Sequence, residues 1–366
     1  MSEEVYRKVQ EQLDQYCIGF PAAESGIEIE IIKELFNEKE ADLFSKMEGE
    51  LESPASVAQR IGQAPETVEK DLEAMALKGL LFRVREEGSV KYSAIPFIHG
   101  LLEFQVKNMS ESLVSLTGKY IKEKFHQNLA GVTAMRVLPV NESIEVKNQI
   151  ASYDDIYQIL SQEELIAVTD CSCRAQKKTF DKACDSPLEV CMMVGPMAEY
   201  YLDNNIGRRI TLDEAMKITR ECNEAGLVSQ TIASSRPFMI CNCCKCCCGF
   251  LKAQRMTGFP GKLVISNHKA VVELDACNGC EACIEMCQTE AISMSADGDA
   301  EINYDRCIGC GLCLSSCTEN ALSLVAKPDE EHYPANHTVH QQMALEAERR
   351  LQRKLEKKQV VDFGFD

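Results

Sequence analysis

The chain has 366 residues and 20 cysteines, with 39 Lys and Arg against 57 Asp and Glu and a formal net charge of −18. That charge excludes a protein that coats nucleic acid through a basic footprint. No run approaches the length of about 18 apolar residues expected of a membrane-spanning helix, and the polar start MSEEVYRKVQEQLDQ lacks the apolar core of an export signal. The expected location is cytoplasmic. In such a reducing compartment cysteines serve as metal ligands or redox groups rather than as a disulfide framework. The length predicts about two to three domains.

Of the cysteines, only Cys17 lies in the first 170 residues. Ile27, Ile31, Ile32, Leu35, Leu43 and Phe44 predict amphipathic helices over 27–47 with a break near Asn37. Ser53 as a cap and Pro54 at the first helical position open a short helix that Gly62 ends. Pro65-Glu66-Thr67 opens the next, carried by Val68, Leu72, Met75 and Leu77 to Gly79. Residues 80–85 and 90–94 predict a hairpin around a polar turn. Helix, tight turn, helix and hairpin in this order resemble the winged-helix domains of bacterial and archaeal regulators over residues 40–98.

That resemblance implies a DNA reader in the second helix. The helix, however, carries Glu66, Glu69, Asp71 and Glu73 against Lys70 and Lys78, and the wing cations Arg83, Arg85 and Lys91 stand beside Glu86 and Glu87. An acidic helix approaches phosphates at an electrostatic cost. The expectation is a docking or structural module, with sequence-specific DNA binding as the alternative. In the connector that follows, Ile98, Leu101, Leu102, Phe104 and Val106 predict a helix continuing toward Gln127, and Arg136–Val140 an extended segment. His99 and His126 are isolated and read as structural. No chemistry is signalled in this connector.

Residues 151–260 hold the unusual chemistry. Ser161-Gln162-Glu163-Glu164 has the spacing of a capping box. Leu165–Val168 predicts a buried strand delivering Cys171-Ser172-Cys173-Arg174, with Cys184 and Cys191 beyond it. A helix from Thr211 to Gly226 carries Cys222 as a core residue. Phe238-Met239-Ile240 then leads into Cys241, Cys243, Cys244, Cys246, Cys247 and Cys248. Overlapping C-x2-C pairs occur at 241/244, 243/246 and 244/247. In an extended chain Cys241, Cys243 and Cys247 would share one face, and Cys244, Cys246 and Cys248 the other. One segment could thus feed two metal sites, and ten thiols suffice for two four-thiolate sites with two to spare. Arg174 and Lys245 would offset thiolate charge or lower a thiol's pKa. A further Fe–S cluster, a structural zinc and a dithiol–disulfide site are the three readings.

The strongest pattern comes next. Cys277, Cys280, Cys283 and Cys287 form a C-x2-C-x2-C-x3-C run, and Cys307, Cys310, Cys313 and Cys317 repeat it 30 residues on. The tails Glu290–Met294 and Glu319–Leu324 repeat as well, which marks an internal duplication. Three close cysteines on a loop suit three irons of a [4Fe–4S] cube, and the fourth ligand then comes from the other run. Cys277, Cys280, Cys283 and Cys317 are expected on one cluster, and Cys307, Cys310, Cys313 and Cys287 on the other. Gly279 and Gly309 permit tight turns that free backbone N–H groups for the sulfurs, while Ile284, Ile292, Ile308, Leu314 and Leu322 supply a dry shell. Two zinc knuckles are the rival reading.

Residues 261–327 resemble a bacterial-type two-cluster ferredoxin, which implies low-potential one-electron transfer. The family usually has Pro after the fourth cysteine; Gln288 and Thr318 stand there instead. Four basic side chains face ten acidic ones across 261–327, which suits docking on a basic redox partner or simply solubility. The middle segment resembles a cysteine-rich CxCR…CxCCxCCC region found beside ferredoxin domains in strict anaerobes. In the tail, His332, His337 and His340 are too loosely spaced to read as ligands. The charged helix Ala344–Lys358, with Arg349, Arg350, Arg353, Lys354, Lys357 and Lys358, is expected to pack Leu345, Leu351 and Leu355 on the body or on a partner. No nucleotide, c-type haem or zincin motif occurs.

The expected fold is α+β and multidomain: a helical, winged-helix-like domain (1–100), a helical connector (101–150), an α/β cysteine-rich domain (151–260), a two-cluster ferredoxin-like domain (261–327) and a polar tail (328–366). The expected function is electron transfer to a redox partner protein through two [4Fe–4S] clusters, with one or two further Fe–S clusters or zinc ions in the middle domain. The alternatives are a redox- or iron-sensing regulator and an Fe–S oxidoreductase with an open iron site.

Overall fold

The computed structural model describes residues 2–86, 88–126, 128, 135–140, 153–335 and 337–360, with residues 2 and 353–360 given as backbone. Among them no helix is long and apolar enough to cross a membrane. The chain divides into two units. The first comprises Met1–Asn128, Glu199–Gly207 and Met343–Asp366, as far as these are described, and the second Leu129–Ala198 and Arg208–Gln342. Both mix helix and strand, in keeping with an α+β chain.

In the first unit, helices α1 (Ser2–Leu13), α2 (Ile27–Leu35) and α3 (Glu38–Phe44) precede α4 (Pro54–Ile61) and α5 (Pro65–Leu77). The break near Asn37 is a capping box: Asn37 accepts from the Glu40 N–H at 2.9 Å and Glu40 accepts from the Asn37 N–H at 2.8 Å. Ser53 caps α4 by accepting from the Ser56 N–H at 3.2 Å, and Gly62 ends it at φ 69°. Strands β1 (Phe82–Glu86) and β2 (Ser89–Ser93) pair antiparallel from Phe82↔Ser93 to Glu86↔Ser89. Two helices and a hairpin therefore follow in the expected order; Glu87 lies outside the described residues.

The hairpin cations are spoken for within this unit. Buried Arg83 donates to Glu73 at 2.8 Å and to Asp203 at 2.9 Å. Arg85 reaches Glu73 at 3.0 Å and Asp203 at 3.1 Å, and Lys91 reaches Glu86 at 2.8 Å. Glu73 belongs to α5, so these contacts tie hairpin to helix.

One expectation for this part needs correction. The connector is not one continuous helix. The backbone breaks at Ile98, His99 and Gly100, with His99 at φ 62°, and helix α6 (Glu111–Tyr120) starts afresh where Ser110 accepts from the Leu113 N–H at 3.0 Å. The break lets Phe97 reach the aromatic core, its ring centroid 4.4 Å from Phe20 and 6.3 Å from Tyr120. Residues 141–150 lie outside the described residues.

The second unit is built on a six-stranded sheet of order β3-β7-β8-β5-β4-β6, antiparallel at every pairing. Its strands are β3 (Met135–Val137), β4 (Ile166–Asp170), β5 (Glu189–Val194), β6 (Arg208–Ile210), β7 (Val228–Ile232) and β8 (Met239–Cys243). Helix α7 (Ile156–Ser161) ends at Ser161, so the 161–164 spacing is not a helix start: no helix follows, and strand β4 does. Helices α8 (Ser172–Lys178), α10 (Leu212–Glu224) and α11 (Gly249–Met256) complete this part, with Thr211 capping α10 and Gly226 stopping it at φ 70°, while α9 (Gly195–Asp203) begins here and ends in the first unit.

Beyond it come β9 (His268–Val272), α12 (Ala282–Met286), β10 (Ile292–Met294), β11 (Ala300–Ile302), α13 (Leu312–Ser315) and β12 (Leu322–Ala326). Strand β9 pairs with β12, and β10 with β11. The connector contributes here after all. Arg136, fully buried, donates to Asp154 at 2.7 Å and to the Tyr333 carbonyl at 2.5 Å, and the Val140 N–H donates to the Cys310 carbonyl at 2.9 Å.

The tail helix α14 (Val339–Val360) buries Gln342, Glu346 and Arg350, whereas Leu345 is half-buried and Leu351 exposed. Within the chain it is these polar side chains that pack, with Arg350 donating to Asp14 at 2.9 Å. The side chains of Arg353, Lys354, Leu355, Lys357 and Lys358 lie outside those described.

Burial lowers the His99 pKa to about 4. The folded state thus resists protonating it, and stability present above pH 6.5 is lost as the pH falls toward 4. His99→Asn, which tolerates the left-handed backbone, should reduce the drop in urea midpoint between pH 7 and pH 5. An unchanged pH dependence would exclude His99 as its source.

Candidate metal centres

The duplication is written into the backbone of the ferredoxin-like segment. Glu281 at φ 64° stands where Gly311 stands at φ 78° in the second repeat, and Glu290 at φ 56° where Asn320 stands at φ 54°. Helices α12 and α13 keep the same 30-residue offset. The first strand of each repeat pairs with the second strand of the other, so the two repeats are interlocked.

Within this frame Cys277, Cys280, Cys283 and Cys317 line one recess, together with Gly279, Val272, Met294 and Leu322. Burial raises the Cys283 thiol, and the nearby Cys280, Cys317 and Cys277 add to the effect. On the other side, burial pushes Cys310 up to about 12, with Cys287 and Cys307 adding to it, and it raises Cys313 beside Cys310, Cys307 and Cys287. Each fourth cysteine therefore lies with the three cysteines of the opposite run. The Ala291 N–H donates to Cys287 Sγ at 3.1 Å and the Ala300 N–H to Cys277 Sγ at 3.5 Å, which draws charge off thiolates. Gly309, at φ 64°, leaves no room for a Cβ against the His268 carbonyl. Ile292 and Leu322 join Cys283 and Cys313 in one apolar cluster, against which Ile284 and Leu314 pack, and Ile308 is buried. These residues fit iron–sulfur ligation: four thiols per set, apolar cover, and N–H groups aimed at sulfur.

The ten middle-domain thiols separate into four and six. Cys184, Cys244, Cys246 and Cys247 hold their sulfurs within 4.8 Å of one another. Neighbouring sulfurs stand at 3.7 Å (184–244), 3.4 Å (244–246), 3.8 Å (246–247) and 3.7 Å (247–184). Burial raises Cys184, but the Ser186 hydroxyl and N–H, with Cys246 and Cys247, pull harder and leave it at about 6. Burial pushes Cys247 up to about 11 and Cys246 higher.

The other six close a ring. Cys171 meets Cys173, Cys173 meets Cys248, Cys248 meets Cys243, Cys243 meets Cys241, Cys241 meets Cys191, and Cys191 returns to Cys171. Hydrogen bonds from Cys173 and Cys191 lower Cys171, helped by Arg174, and the same bonds raise the two donors. The strict alternation of faces is thus corrected. Strand β8 ends at Cys243 and a turn follows, so Cys247 joins the four, while Cys248, at the N-cap of α11, joins Cys241 and Cys243 in the ring. The ten thiols thus group as four and six, which still leaves enough for two four-thiolate sites.

Arg174, also fully buried, stands between the groups. It donates to the Pro187 and Asn242 carbonyls, each at 2.7 Å; burial lowers its pKa, but Cys171, Cys244 and Cys191 raise it further. Lys245 enters through its backbone: its N–H donates to Gln288 Oε1 at 2.9 Å. Gln288, at the position where Pro was expected, thereby ties the cysteine-rich turn to the ferredoxin-like segment. Sequence reasoning missed this bond, because only proximity in three dimensions reveals it. Cys17 and Cys222 are buried packing residues, each pushed up to about 12 by burial. His332 contacts the Lys327 carbonyl at 2.8 Å, and the His337 carbonyl accepts from Ser235.

Arg174→Met should cost roughly 3 kcal/mol or more, as expected for losing one partner of a buried charge, read as a fall in urea midpoint. Gln288→Leu should cost about 1–3 kcal/mol by leaving the Lys245 N–H unpaired; an unchanged midpoint would show that this bond does not contribute.

No curated protein and no solved structure matches the chain. Residues 276–321 match the family model described as 4Fe-4S dicluster domain, and together with the cysteine geometry this match supports a ferredoxin-type domain there and iron–sulfur electron transfer as the chemistry of the chain.

Proposed function

We propose that the chain is an electron-transfer protein that holds two [4Fe–4S] clusters in residues 261–327 and at least one further metal site in residues 151–260. The carrying observation is the interlocked duplication, which gathers Cys277, Cys280, Cys283 and Cys317 on one side and Cys307, Cys310, Cys313 and Cys287 on the other. When bound, such clusters supply low-potential one-electron transfer. The thiolates hold them, Ala291 and Ala300 N–H groups stabilise thiolate charge, and Ile284, Ile292, Leu314 and Leu322 exclude water. The surface carboxylates of 261–327 suit a basic redox partner whose association weakens with salt.

In the same reading the first unit's two helices and hairpin form a winged-helix module that docks protein. Its hairpin cations Arg83, Arg85 and Lys91 already face carboxylates, which leaves little charge for phosphates. The sensor-regulator reading is correspondingly weaker.

Protein purified without oxygen should carry at least about eight irons and eight acid-labile sulfides per chain, and a viologen dye should reduce it reversibly. Cys317→Ser should alter the magnetic signal of the cluster held by the first run, and Cys287→Ser that of the second. Fewer than about eight irons after full reconstitution would sink the two-cluster assignment.

A further inference from the structure

The ten middle-domain thiols fall into groups of different spacing, and spacing measures how many metal atoms stand among them. A single tetrahedral ion with metal–sulfur bonds of about 2.3 Å places its sulfurs about 3.8 Å apart. A cube interposes four irons and four sulfides, and so spreads its thiolates much more widely. Cys184, Cys244, Cys246 and Cys247 stand 3.4–3.8 Å from their neighbours. Among the described residues theirs is the one group of three or more metal-ligating side chains with every ligand atom within 4.8 Å. Neither ferredoxin run and no three members of the six-thiol ring reach that closeness. The wide and narrow spacings thus occur side by side in one chain.

We propose that Cys184, Cys244, Cys246 and Cys247 hold a single tetrahedral thiophilic ion, zinc or iron, separate from every cluster. The ring of Cys171, Cys173, Cys191, Cys241, Cys243 and Cys248 is left for a polynuclear core, since no one ion spans it. This deepens the reading given above, resting only on the middle-domain thiols being metal ligands.

Three further features suit the assignment. Four thiolates on a divalent ion leave a net charge of about −2, and Arg174 lies against Cys244 to offset it. Three ligands come from one turn, 244–247, and the fourth from a loop 60 residues earlier, so the ion clips the 179–187 segment to the end of β8. The Lys245 N–H, between two of the ligands, is held by Gln288, the residue after Cys287. The ion site is thereby hydrogen-bonded to the ferredoxin-like segment.

The test compares the full chain with its Cys244→Ser/Cys247→Ser variant, both purified without oxygen, by metal analysis and acid-labile sulfide. The expected result is the loss of one zinc or one iron per chain with sulfide unchanged. Loss of iron and sulfide together, or no loss of metal, overturns the proposal. The two-cluster reading is judged separately, by the Cys287 and Cys317 variants, so either can fail alone. Should the double variant not fold, the unsubstituted protein decides. X-ray absorption should show one zinc with four sulfurs at about 2.3 Å and no metal neighbour, or Mössbauer spectra one high-spin tetrahedral iron outside the clusters. Finding neither, or finding these thiols joined as disulfides, overturns it.

Discussion

Ionisable sulfurs packed against one another in a dry interior repel once deprotonated, and each buried thiolate pays for lost hydration. The second unit gathers eighteen clustered thiols, all but Cys246 and Cys280 buried or half-buried, and its architecture answers that constraint. In the six-thiol ring Cys173 and Cys191, helped by Arg174, drive Cys171 toward the thiolate and are themselves driven toward the thiol. Arg174 is inserted where the two groups approach, anchored by the Pro187 and Asn242 carbonyls rather than by a carboxylate. Carbonyl anchoring leaves the guanidinium's charge available to sulfur. A carboxylate partner would have neutralised it.

The same constraint explains why the cysteines sit at the ends of rigid elements. Strand β4 delivers Cys171, β5 contains Cys191, β8 carries Cys241 and Cys243, and α11 begins at Cys248. Backbone hydrogen bonds of the sheet hold these thiols in place against their mutual repulsion. In the ferredoxin-like segment, exchanging strands between repeats does the same. It brings the fourth cysteine of each run to the other run and supplies N–H donors to the sulfurs.

The first unit has a different electrostatic character. Its hairpin arginines pair with Glu73 and Asp203, so helix and hairpin are tied together by charges that a nucleic-acid reader would present outward. Its tail helix likewise buries Glu346 and Arg350, with Arg350 held on Asp14. In both places charged side chains are buried, and a specific partner makes each tolerable.

Much of this was legible in the residues. The 30-residue duplication, the break near Asn37, the Ser53 cap, the glycine stops and the hairpin are local signals, set by spacing and by the stereochemistry of Ser, Asn, Pro and Gly. Cys17 could be set aside because it stands alone in the first 170 residues, and Cys222 because it lies within a helical stretch. The division of ten thiols into four and six could not be read this way. It depends on strand β8 ending at Cys243, which exchanges the sides taken by Cys247 and Cys248, and on Cys184 arriving from 60 residues away. The Gln288–Lys245 bond and the position of Arg174 are likewise properties of packing. Sequence by itself determined that the chain would gather thiols for metal and where the paired runs lay, because ligand spacing is local. Only the tertiary structure decided which middle-domain thiols share a site, because sulfur–sulfur distance is set by how strands and turns meet in space.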